Sequence, residues 1–164
     1  MNLKKIIATL SFLLLLNCGY EPMYSKKKIN NNYNFSINTI NLIGDNEINK
    51  ILENKLKRKI NTEKKSTELN LNLNSRVSKT ITSKDKKGNP IRFSIKIMIN
   101  VEVYESEILK GKANFGEKFE YNNKSNKFNL TQYEENIKVN LISKLSNEII
   151  RYLNSLKWYL KHLK

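Results

Sequence analysis

The chain has 164 residues and a mass of 19.3 kDa, which leaves room for one domain of ordinary size and excludes a multidomain enzyme. Its formal net charge is +15, but only four of the 30 basic residues are Arg, the side chain whose planar fork grips phosphate with paired hydrogen bonds. Abundant Lys and Asn together follow from A/T-rich coding, so part of the basicity is composition rather than evidence for a polyanionic partner. A single Cys, Cys18, and a single His, His162, exclude an intrachain disulfide, a Cys/His metal cluster and a Cys–His nucleophilic pair. With no Gly-rich phosphate loop either, the expectation is a binding protein rather than an enzyme, without metal or cofactor.

The N-terminal stretch reads as an export signal. Lys4 and Lys5 precede an apolar run, Ile6–Leu16, broken only by Thr9 and Ser11, in the order that a secretory signal requires. As a helix the run would span roughly 16 Å, about half of a ~30 Å hydrocarbon core and too short for a permanent span. It closes on Leu15-Leu16-Asn17-Cys18, which resembles the lipobox of bacterial lipoproteins, with Asn17 where that pattern usually has Gly, Ala or Ser. The resemblance implies cleavage before Cys18 and acylation of that residue; Gly19 rather than Asp in the next position implies release to the outer membrane. Two or three acyl chains would then hold the mature protein on the membrane without spanning it. Residues 1–17 are expected as signal peptide, 18–33 as a lipidated tether whose Ser25–Asn32 stretch is too polar to pack, and 34–164 as one domain.

Within that domain, Phe35, Ile37, Ile40 and Leu42 suggest a first strand, and the phase change between Ile37 and Ile40 predicts a bulge. Ile48, Ile51, Leu52, Leu56 and Ile60 then recur at helical spacing, with Asp45 as cap, Glu47 in the first turn and Lys57, Arg58 and Lys59 near the end, as the helix dipole favours. From Glu68 the period is two, with Leu69, Leu71, Leu73, Val77 and Ile81 on one side and Asn70, Asn72, Asn74, Arg76 and Ser78 on the other. Lys86–Pro90 makes a turn, and Ile91, Phe93, Ile95, Ile97, Ile99, Val101 and Val103 line one face of the next strand. At about 3.4 Å per residue these strands make a hairpin roughly 45 Å long, well past the usual ~20 Å, whose tip should project beyond the helices covering its base. After a turn at Glu105–Glu107, Leu109, Ala113, Phe115, Phe119 and Tyr121 form a further strand face. A long helix follows, opened by Asn129 or by a Thr131/Glu134 capping box, with an apolar stripe from Leu130 to Leu163.

The order β-α-β-β-β-α has one economical solution, an α+β two-layer sandwich in which two helices cover one face of a four-stranded, mostly antiparallel sheet. The other sheet face is polar and left to water or a partner. Tyr104 on that polar phase, and Trp158 with Tyr159 near the C-terminus, are aromatics that could touch such a partner.

Cys18-Gly19-Tyr20-Glu21-Pro22-Met23-Tyr24 resembles the start of mature members of the LPS-assembly lipoprotein family LptE, in the alphaproteobacterial form Cys-Gly-aromatic-x-Pro-aliphatic-Tyr. The element order, and an aromatic at Phe128 shortly before Tyr133-Glu134-Glu135, are similar to that family as well. Membership would imply a non-enzymatic role: an outer-membrane lipoprotein that sits in the lumen of the LptD β-barrel, assists its assembly and binds lipopolysaccharide. Lys79, Lys84, Lys86, Lys87 and Arg92, at or near the hairpin tip, are the candidate contacts for lipopolysaccharide phosphates. The alternative is a periplasm-facing lipoprotein scaffold of another envelope complex. Nucleic-acid binding is excluded by export and by lysines that are dispersed instead of striped.

Overall fold

Alternating Leu and Asn along one strand, and Ile and polar residues along the next, can bury only one face, and the chain uses its two helices to cover that face. The computed structural model describes residues 35–60 and 67–162, with side chains through Leu156. The signal peptide, Cys18, the tether, the resembling Cys18–Tyr24 segment and Leu163 lie outside the described residues, as do the side chains of Trp158 and Tyr159. Six elements follow in the expected order: β1 (Ser36–Gly44), α1 (Asn46–Lys59), β2 (Glu68–Lys84), β3 (Pro90–Glu105), β4 (Ile108–Asn122) and α2 (Lys127–His162). They form a four-stranded sheet in the order β1-β2-β3-β4. Because α1 carries the chain back along the sheet, β2 starts at the same end as β1 and pairs with it in parallel; the two remaining pairs are antiparallel hairpins.

The core lies between the sheet and the helices. Leu71, Leu73, Ile97 and Ile99 meet Ile48, Leu52 and Leu56 of α1 and Ile142, Leu145, Ile149 and Leu153 of α2, all essentially inaccessible to solvent. The bulge expected in β1 is present: the register passes from Ile37↔Leu69 to Thr39↔Asn70, leaving Asn38 without a partner. That extra residue lets Ile37, Ile40 and Leu42 all take the core-facing phase.

Asp45 caps α1, its Oδ1 accepting from Ile48 N at 2.9 Å. The helix can begin there because Gly44 has φ +103°, and a Cβ at that position would stand 1.9 Å from the Ser75 carbonyl oxygen. The same junction holds a small polar knot. Ser75 Oγ accepts from Asp45 N at 3.1 Å and donates to buried Asn49 at 2.6 Å, so the polar groups beneath the end of β1 are satisfied.

Three expectations are corrected. Leu109 is on the polar face, because a register shift between Val103↔Gly111 and Tyr104↔Leu109 reverses the phase of the first residues of β4. The cap of α2 is Asn126, which accepts from Asn129 N at 3.1 Å, while Thr131 lies inside the helix with its hydroxyl donating to Lys127 O. The hairpin tip is also less isolated than its length suggests, since β4 accompanies β3 as far as Arg92↔Asn122 and α2 begins beside it. The last apolar positions do outrun the helices: Ile81 and Ile91 are 48% and 47% exposed.

Candidate functional site

The distal end of the sheet is built by one tight turn and one short connection. In the turn, Asp85 accepts from Lys87 N and Asn89 N, each at 2.8 Å, and from Asn89 Nδ2 at 3.0 Å, while Gly88 adopts φ +84°. The Asn89 side-chain bond, followed by the backbone bonds, holds the Asp85 carboxyl below the usual carboxylate range. The acid is thereby engaged by its own loop. In the connection after β4, Asn123 donates from its backbone to Ile91 O at 2.9 Å and from its side chain to Pro90 O at 2.8 Å. Those bonds bring Lys124 and Lys127 to the same end as the turn.

Of the five cations expected at the tip, four gather there. Lys84, Lys86 and Lys87 are exposed at the turn, and Arg92 directs its Nε toward Asn122 Oδ1 at 3.5 Å. None of the three lysines pairs with a carboxylate among the described residues, while Arg92 lies within electrostatic reach of Glu120. Lys79 stands apart: it faces the helices, donates to Glu134 Oε1 at 2.6 Å and lies 4.5 Å from the centre of the Phe93 ring. Its position was readable, because Lys79 shares the odd phase of Leu73, Val77 and Ile81. Glu134 also accepts from Tyr121 at 2.7 Å, and burial, then that hydrogen bond, pushes the Tyr121 hydroxyl well above its ordinary range. Lys79 therefore ties the sheet to α2.

Lys124 and Lys127 were not anticipated. Lys124 sits 4.2 Å from the Tyr133 ring centre, and nothing in its spacing links it to a turn more than thirty residues earlier. Beside these cations Phe128 is 72% exposed. The distal end thus combines exposed cations with the apolar surfaces of Ile81, Ile91 and Phe128, the composition that an anionic amphiphile would meet favourably. At the opposite end, β1 and α1 enclose a groove of about 380 Å³ lined by Ile37, Ile40 and Ile60, with Glu53 and Lys57 among its walls. The outer sheet face is mostly polar, as its alternation requires, with Ile43, Met98 and Leu109 as exposed apolar exceptions. Tyr104 lies there, its hydroxyl donating to Glu102 at 2.8 Å, and Lys112 pairs with the same carboxylate at 2.7 Å.

Among the described residues no set of His, Cys, Asp and Glu could hold a metal ion, and no helix is long and apolar enough to cross a membrane. No family model matches the chain, and no curated protein matches it in sequence. Solved structures share its fold. A rare lipoprotein B from Shewanella oneidensis superposes with a TM-score of 0.59 at 12% identity, over 76% of this chain and 100% of that one. A minor lipoprotein from Acinetobacter baumannii gives 0.57 at 11% identity, over 76% and 93%. A lipoprotein B from Nitrosomonas europaea gives 0.51 at 12% identity, over 79% and 92%.

Proposed function

We propose that this chain is an envelope lipoprotein of the LPS-assembly type, acylated at Cys18 and held on the periplasmic side of the outer membrane. In this reading it associates with a large LptD-like β-barrel, occupies the barrel lumen and contacts lipopolysaccharide during its delivery, and it performs no catalysis. The observation that carries the reading is the coincidence of two independent features: a lipobox-like Cys18 behind an export signal, and a fold that covers the whole of a rare lipoprotein B. The distal end supports it further. Lys84, Lys86, Lys87 and Arg92 are available to phosphate groups, and a barrel lumen offers the polar surroundings that such a tip and the polar sheet face need.

The decisive experiment is purification of the tagged chain from envelope membranes after metabolic labelling with palmitate. The expected result is labelled protein that brings a large β-barrel with it, with label and membrane association both lost in Cys18→Ser. A labelled chain that purifies with a different envelope assembly and no barrel would favour the scaffold alternative. An unlabelled chain starting at Met1 would sink both. For the ligand contacts, replacing Lys84, Lys86, Lys87 and Arg92 together with Ser is expected to weaken lipopolysaccharide capture at physiological salt while leaving the fold intact. Lys79→Ser should act on stability instead.

A further inference from the structure

β1 covers only half of β2. Their parallel register runs from Ser36↔Glu68 to Gly44↔Ser75 and stops, because Gly44 turns the chain and Asp45 starts α1, which leads back toward the base. β2 continues to Lys84, paired only with β3. Among the described residues no strand lies on the other side of Arg76–Lys84, a stretch of roughly 30 Å at ~3.3 Å per residue. Its backbone groups on that side form a strand edge in line with β1, able to accept another strand.

The guards that usually blunt such an edge are sparse here. It has no Pro, and its irregularity is confined to the far end around Thr82. Lys79, which could have screened it, is drawn across to Glu134 and Phe93. The opposite edge of the sheet is different. On β4, Lys110, Lys112, Glu117 and Lys118 each have an oppositely charged partner within 3.3 Å. Arg76–Lys84 contains no acidic residue, and Arg76 and Lys84 have no carboxylate partner among the described residues. Beside Arg76, the outer face has a shallow depression of about 80 Å³ formed with Asn74, Met98 and Asn100.

We propose that the Arg76–Lys84 edge is a strand-addition site for an extended segment of a partner protein that carries acidic side chains at alternate positions. The backbone ladder supplies affinity. A carboxylate placed opposite Arg76 supplies selectivity, as in any cross-strand ion pair. A second copy of this chain fits poorly, because two such edges paired antiparallel would set Arg76 of one copy against Lys84 of the other. The site shares only Lys84 with the tip cations and does not require the lipopolysaccharide reading.

The test uses the full chain in detergent and a blocked nine-residue peptide alternating Val and Glu, with hydrogen exchange of backbone amides as readout. Exchange across Arg76–Lys84 should slow by about tenfold or more at saturating peptide, with β4 unaffected. The same peptide with Lys in place of Glu should give no protection. Arg76→Glu should reverse the preference, losing protection by the Glu peptide and gaining it from the Lys peptide, a charge swap that mere unfolding cannot produce. Equal protection of β4, indifference to the sign of the peptide charge, or protection without peptide accompanied by dimer in sedimentation would each overturn the proposal.

Discussion

The base and the distal end of the sheet are held together by different chemistry. At the base, β1 and α1 add a fourth strand and a second helix over Leu71, Leu73, Ile97 and Ile99, and the contacts are mainly aliphatic, with Phe35 the one fully buried aromatic among the described residues. Toward the tip the same alternation of apolar and polar residues continues, but aromatic rings and ions replace the aliphatic core. Phe93 and Tyr121 pack tilted and Tyr121 and Tyr133 edge to face, with centroids 5.7 and 5.9 Å apart, and Glu134 receives both Lys79 and Tyr121. The lesson is that one sequence period can serve two purposes. Where both layers are complete, it builds stability; where one layer runs out, it presents surface.

Truncations should separate the two regions most sharply. Leu145→Ala, in the fully buried base, is expected to cost about 3 to 4 kcal/mol, whereas Ile91→Ala at the half-exposed tip should cost under about 0.5 kcal/mol. Chemical denaturation midpoints at constant slope measure both, and comparable losses would break the distinction. Next in size is Gly44→Ala, which forces a Cβ into the Ser75 carbonyl at a positive φ. A loss of about 2 kcal/mol or more is expected, and with it weaker protection of β1 amides.

The turn between β3 and β4 should move the other way. Ser106 and Glu107 both have positive φ, 46° and 69°, a conformation that Asn-Gly adopts with little strain. Replacing the pair by Asn-Gly should therefore raise stability by about 1 kcal/mol.

The smallest effect is one of pH and belongs to the distal end. Tyr121 has its folded-state pKa raised above the ordinary value of 10.0, so the folded protein keeps a proton that the unfolded chain releases. Its contribution is complete below about pH 10 and is lost as pH rises beyond that value. Tyr121→Phe should flatten the alkaline fall in stability without removing it, because Tyr152 is also shifted upward by burial. An unchanged slope would show that Tyr121 is not shifted upward in the folded protein.

Much of the architecture was legible from short-range pattern. The bulge at Asn38, the Asp45 cap, both hairpins and the two-layer arrangement all follow from periods of 2.0 and 3.6 and from residues within a few positions of one another. The failures share a cause. Leu109 changed face through a one-residue slip against Val103–Tyr104, and a single slip inverts every side chain beyond it. Asn126 outcompeted Thr131 as cap because Asn123 is bonded to Pro90 and Ile91, which sets where the chain can begin to turn. At the candidate site, the turn cations were visible in Lys84–Arg92. Lys124, Lys127 and the exposure of Phe128 were not, since they reach the tip only through the pairing of β4 with β3.

By itself the amino-acid order determined the elements, their faces and the end of the sheet where cations collect, because those depend on backbone sterics and side-chain period within a single element. The tertiary structure alone decided which edges and surfaces stay open. β2 is left half-paired because Gly44 meets Ser75, residues thirty-one positions apart in sequence, and Lys79 is withdrawn from the edge because Glu134 arrives from fifty-five positions away. Contacts at such separations depend on where the chain has already been placed, and no local preference encodes that.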